Sequence, residues 1–98
     1  MINELAINKR IRELRDHLNI GRGEFAEKTG ISKNAIINLE QGKQKAYAWH
    51  CEAISKVFPK YTYWITTGKV IPEVGQISPE IEEELLRQNL KSLRTGTY

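Results

Sequence analysis

An all-α fold is predicted for this chain: five short helices forming one domain, followed by a longer C-terminal helix. Three observations predict it. Apolar residues recur at intervals of three and four along most of the sequence, which is the spacing of a helix with one buried face. Gly30, Gly42, Pro59 and Gly68 interrupt these runs where a helix would end. No segment alternates convincingly with period two, apart from a short extended piece at 69–72.

Ile7, Ile11, Leu14 and Leu18 lie at i, i+4, i+7 and i+11, so residues 5–18 form the first amphipathic helix, with Arg15 at the edge of its stripe. The second helix, 22–29, turns Phe25 and Ala26 inward and stops at Gly30. Ser32 is the N-cap of the third, which starts at Lys33 and is ended by Gly42. "YAWHCEAISKVF" reads as the fourth, with Trp49, Ala53, Ile54 and Val57 facing the core and Pro59 closing it. Residues 60–67 make a fifth, anchored by Trp64. Residues 70–79, "VIPEVGQISP", read as a linker from their Pro and Gly content. Ser78 and Pro79 suit the entry to a last helix, assigned to 80–98. Glu80, Glu82, Glu83 and Glu84 crowd its start and Arg87, Lys91 and Arg94 its end, as the helix dipole favours. Its apolar residues Ile81, Leu85, Leu86, Leu90 and Leu93 cover about half the circumference.

With 98 residues, 40% hydrophobic and 28% charged, the chain suits one compact domain and leaves no room for an enzyme of two lobes. A single cysteine, Cys51, excludes an intrachain disulfide. The start "MINELAINKR" lacks the order of a signal peptide, and no apolar run would span a membrane, so a cytoplasmic location with no membrane partner is expected. The net charge of +3 is unevenly placed. Residues 1–69 carry 12 Lys/Arg against 7 Asp/Glu, a surplus of +5, and residues 70–98 carry 3 against 5, a deficit of −2. The basic surplus therefore accompanies the helical domain.

The third helix, "KNAIINLE", carries the functional signal. Ala35, Ile36 and Leu39 share the side that a core would take, while Lys33, Asn34, Ile37, Asn38 and Gln41 spread over roughly 140° of the other. A polar face with an isoleucine inside it suits a major groove. Lys33 can donate to guanine or to a phosphate, Asn34 and Asn38 can pair with adenine, and Ile37 can pack on a thymine methyl. The second and third helices, joined at Gly30, make a helix-turn-helix able to present that face.

Catalysis finds little support. His50 and Cys51 are helical neighbours pointing about 100° apart, and no H-x-x-x-H, C-x-x-C or G-x-S-x-G pattern is present. Cys51 is expected in the core and His17 in solvent. Gly21 and Gly23 match no phosphate-loop spacing, so no cofactor and no metal are expected.

The segment from "KRIRELRDHLNIGRGEFAEKTGISKNAIINLEQGK" through "WITTG" resembles the Cro/repressor-type (XRE-like) helix-turn-helix family, most closely the DNA-binding domains of lambdoid phage repressors. "FAEKTGIS" and "AIINLEQGK" are its most specific parts, and the resemblance spans residues 8–68. It implies a five-helix lambda-repressor-like domain over residues 1–69 that binds double-stranded DNA operators as a dimer. It also implies base-reading positions at Lys33, Asn34 and Asn38, with Ile37 on the same face. Ser32, Gln41, Lys43 and Lys45 fall at or near its DNA-backbone positions. Arg22 opens the second helix where the family usually has glutamine, which binds phosphate and braces the third helix. Arginine keeps the reach to phosphate and leaves the bracing open. Gly21 replaces the customary Ser or Thr cap. Arg15 and Glu40 match a partly buried ion pair of some members, a reading with which their places at the margins of two apolar stripes agree.

The function expected is that of a sequence-specific transcriptional regulator, a phage- or prophage-type repressor binding a palindromic operator as a homodimer. Ile81, Leu85, Leu86, Leu90 and Leu93 would supply the dimer contact. One set of these would pack on its own domain and the other on a partner. The alternative is an antitoxin or adaptor whose main partner is another protein.

Overall fold

In the computed structural model, residues 5–94 are described, with side chains to Lys91. Six helices run in the order α1 (Ala6–Leu18), α2 (Arg22–Thr29), α3 (Lys33–Glu40), α4 (Ala48–Val57), α5 (Thr62–Thr67) and α6 (Pro79–Arg94). Two short 3₁₀ turns, Pro59–Tyr61 and Pro72–Val74, interleave with them. The all-α class is as the sequence predicts.

Local chemistry sets the boundaries. Asn19 ends α1 in the left-handed region at φ 57°, and Gly30 ends α2 at φ 79° with its N–H on the Ala26 carbonyl. Gly21 opens α2 without a side-chain cap, whereas Ser32 Oγ accepts from the Ala35 N–H at 3.1 Å and starts α3. These ends confine the helix-turn-helix to three residues of connection, Gly30, Ile31 and Ser32, with Ile31 buried as its central plug. The core joins Ile11 and Leu14 of α1, Phe25 of α2, Ile36 and Leu39 of α3, Ile54 of α4 and Trp64 and Ile65 of α5.

Three expectations are corrected. Trp49 and Val57 are exposed, and α4 instead buries His50, Cys51 and Ile54. The helix is rotated so that His50 Nδ1 accepts from the Tyr47 N–H at 2.9 Å, and the Trp49 ring lies over the His50 imidazole with centroids 3.9 Å apart. The segment 60–67 is not one helix, because Pro59 begins a 3₁₀ turn in which Tyr61 is buried before α5 starts. His17 is not solvated: its ring lies between α1 and α6, with Nε2 2.7 Å from Glu82 and Nδ1 3.3 Å from Glu83.

Residues 70–79 are pinned to the domain. Ile71 and Gln76 form an antiparallel bridge, and the Ile77 N–H donates to the Lys60 carbonyl. Gln76 accepts from the Tyr63 N–H and donates to the Pro59 carbonyl, which ties the connection across the start of α5. Ile77, Ser78 and Pro79 are buried, and Ser78 Oγ caps α6 by accepting from the Ile81 N–H. Glu82 then takes hydrogen bonds from Tyr61 and Lys60 as well as its contact with His17. Burial would raise the Glu82 carboxyl, but donation from His17, Lys60 and Tyr61 outweighs it and brings the group down to about 2. Burial together with the Glu82 carboxylate pushes the Tyr61 hydroxyl up. From Glu83 to Lys91 every residue of α6 is exposed.

Candidate nucleic-acid interface

Helix α3 is held from its apolar side and open on its polar side. Ile36 and Leu39 are fully buried and Ala35 packs beside them. Lys33 and Asn34 in the first turn are exposed, and Ile37 and Asn38 a turn later are half-buried. The four side chains that the sequence singles out therefore share one accessible face, with Lys33, the longest of them, at the N-terminal end. That placement suits reading base edges from the start of a helix.

The flanking groups differ in their engagement. Ser32 is exposed while its hydroxyl oxygen caps α3, so it retains a proton to donate outward. Gln41 closes the helix through its N–H on the Ile37 carbonyl and leaves its side chain exposed. Gly42, at φ 73°, then turns the chain so that the Lys43 N–H reaches back to the Asn38 carbonyl at 2.9 Å. Lys43 and Lys45 are exposed beyond it. This loop carries its two cations immediately after the reading face.

Beneath the face lies an ion cluster centred on Glu40, with Asp16 Oδ1 3.4 Å from Arg15 Nη2 at its edge. Arg15 donates Nε to Glu40 Oε2 at 2.6 Å and Nη2 to Oε1 at 3.0 Å, a two-pronged contact between α1 and the last residue of α3. Arg22, the first residue of α2, donates Nε to the same Oε1 at 3.1 Å. Burial would raise the Glu40 carboxyl, but the hydrogen bonds and charge of Arg15, and then of Arg22, hold it below the usual carboxylate range. Arg22 therefore does touch α3, through an ionic contact where the family's glutamine would use a neutral one.

The sequence reading missed Asn8. It is buried in α1, and its amide donates to the Leu39 carbonyl at 2.9 Å and the Gln44 carbonyl at 2.8 Å. It thus ties the end of α3 and the following loop to α1. The available signal was a polar residue inside the apolar stripe, next to Ile7 and one turn from Ile11, a position that needs buried partners. Arg10 was missed in the same way and donates to the Ile65 carbonyl at the end of α5.

The proposed dimer residues divide. Ile81 packs on its own core, whereas Leu85, Leu86 and Leu90 stay exposed, and the side chain of Leu93 lies outside the described residues. Leu86 and Leu90, at 55% and 61% exposure, make an apolar strip one turn long on a part of α6 clear of the domain. Among the described residues no cluster of His, Cys, Asp and Glu could hold a metal ion. No described helix is long and apolar enough to cross a membrane.

Comparison with known proteins agrees with this geometry. A family described as a helix-turn-helix domain matches residues 8–66, which run from Asn8 to the penultimate residue of α5. Repressor protein C of Escherichia phage P2 is 29% identical over 77 residues, covering 76% of this chain and 78% of that protein. The matched span holds α2, α3 and the cluster beneath them, and the chain belongs to the helix-turn-helix domain family, as a DNA-binding regulator of the Cro/repressor type.

Proposed function

We propose that the protein is a phage- or prophage-type repressor that binds operator DNA as a homodimer, with α3 of each copy in a major groove. The observation that carries the reading is the α3 face itself. Lys33, Asn34, Ile37 and Asn38 are together on a helix whose opposite side is locked into the core. Asn34 and Asn38 offer the paired donor and acceptor that adenine requires, Lys33 a donor for guanine, and Ile37 an apolar surface for thymine. Ser32, Arg22, Gln41, Lys43 and Lys45 take phosphates on either side and set the register.

One such helix spans only a few base pairs, so selective occupancy of a genome calls for two copies on one site. Exposed Leu86 and Leu90, with exposed Leu85 on the same helix, supply an apolar contact that joins them through α6. A two-fold dimer reads a palindrome with half-site centres about 34–36 Å apart. The similarity to a protein named a repressor supports repression as the outcome of binding.

Selection of bound fragments from a genomic DNA pool by the purified chain, followed by sequencing, tests the reading. Inverted half-sites about one helical turn apart are expected. Direct repeats would overturn the two-fold arrangement. No enrichment at all without an added protein would favour an adaptor whose main partner is another protein.

A further inference from the structure

Glu40 is more than the partner of Arg15. Its side chain has no solvent exposure, and Arg15 alone satisfies both carboxylate oxygens at 2.6 and 3.0 Å. A buried carboxylate so paired needs no second arginine. The bond from Arg22 Nε to Oε1 therefore matters more to Arg22 than to Glu40. Arg22 is the more open to water of the two arginines, with its side chain 37% exposed, and its terminal nitrogens make no other hydrogen bond among the described residues. Asp16 Oδ1 lies 3.4 Å from Arg15 Nη2 and offsets charge on that side, whereas among the described residues Arg22 has only the carboxylate it shares with Arg15, so the guanidinium of Arg22 is the less neutralised of the two. It sits at the first residue of α2, fixed through Nε to the last residue of α3, the helix that carries the reading face.

We propose that Glu40 is a positioning residue for DNA recognition: it holds Arg22 by Nε so that the terminal nitrogens meet a phosphate in fixed register with the bases under α3. The inference rests on α3 being the reading helix. An arginine free on the surface finds any phosphate on any DNA; one held at a fixed place finds the phosphate only when α3 is seated. Glu40 thereby converts a nonspecific cation into a contact that depends on register. Removing its charge leaves Arg22 mobile and adds one positive charge to the surface, which strengthens binding to random DNA while weakening the seated complex.

The experiment measures affinity for the selected operator and for random duplex across a salt series, alongside thermal melts of each full-length variant. Glu40→Gln is expected to weaken operator binding about tenfold, the scale of a lost charge-assisted hydrogen bond. Its affinity for random duplex should be equal or higher. Arg22→Ala should weaken both and flatten the salt dependence by about one unit. The double variant should bind operator no worse than Arg22→Ala, because Glu40 acts through Arg22. Arg22→Lys keeps the charge and loses the Nε–H, so it should retain the salt slope and lose selectivity. A purely structural Glu40 would lower melting temperature and both DNA affinities together, leaving selectivity unchanged. Additive operator losses in the cycle, or wild-type selectivity in Arg22→Lys, would overturn the proposal. The Arg22→Lys result decides alone if Glu40→Gln does not fold. A wild-type chain that selects no DNA sinks the reading of α3 and this inference with it, whereas normal operator binding with additive variants sinks this inference only.

Discussion

At Asn34 the side chain is exposed, on the first turn of α3, and makes no hydrogen bond among the described residues. Asn34→Ala should therefore leave the melting temperature unchanged and cost about 1–3 kcal/mol at the operator, relaxing preference at one base pair. Lys43→Ala should weaken operator and random DNA alike and reduce the salt slope by about one unit. Unchanged selectivity in Asn34→Ala, measured by competition among operator variants, would remove Asn34 from the reading face. Gly68 gives a stability test remote from DNA. It closes α5 at φ 78°, and an added Cβ would stand 2.6 Å from Arg10 Nη2, pushing on the guanidinium whose Nη1 donates to the Ile65 carbonyl. Gly68→Ala should lower stability by about 1–2 kcal/mol through the left-handed backbone alone, with more from the displaced guanidinium. A melting temperature within a degree or so of wild type would contradict it.

Among the elements, α6 is docked by the packing of Ile81 and by an acidic clamp at Glu82. Glu82 gathers Tyr61, Lys60 and His17 from α1 and from the turn before α5, and its carboxyl lies at about 2 instead of 4.5. A depressed carboxyl stabilises the fold above its unfolded value and loses that contribution as pH falls through the folded one. Docking of α6 should thus be complete near neutral pH and weaken between pH 4.5 and about 2. Hydrogen exchange of the α6 amides along an acid titration would follow it, and Glu82→Gln should show reduced protection already at neutral pH. Exchange in α6 that ignored both the acid and the substitution would rule the clamp out. The helix boundaries themselves were legible, since Ser32, Gly30, Pro59, Gly68 and Ser78 act locally and act where they stand. The rotation of α4 was not: 49, 53, 54 and 57 make as regular a stripe as 50, 51 and 54, and only the neighbours on either side choose between them. Burying His50 in place of Trp49 satisfies the Tyr47 N–H, a need that apolar spacing does not express.

For the whole molecule, the open question at the sequence level was which apolar residues of α6 serve the domain. Ile81 does, and Leu86 and Leu90 do not. Removing residues from Gln76 onward would be a poor test of α6, because Gln76 and Ile77 hold the start of α5. Substituting Leu86 and Leu90 together by lysine leaves the Glu82 clamp intact and should preserve the fold while breaking the proposed dimer. Sedimentation should then report a monomer, and operator affinity and cooperativity should fall sharply, since each half-site would be held by one α3 alone. A folded double variant that stayed dimeric and bound operator normally would remove α6 from the interface.

What the sequence determined by itself was local in origin. Spacing, caps and breakers act over one or two turns, so the all-α class, the helix-turn-helix and the polar face of α3 were readable in the chain. The tertiary structure decided what depends on contacts between residues far apart in the chain. Asn8 reaches Leu39 and Gln44, Glu82 collects donors from α1 and from the turn before α5, and Arg22 joins Arg15 on one oxygen of Glu40. Each is a polar contact whose partner is chosen by where the helices pack, and packing is set by the whole core at once.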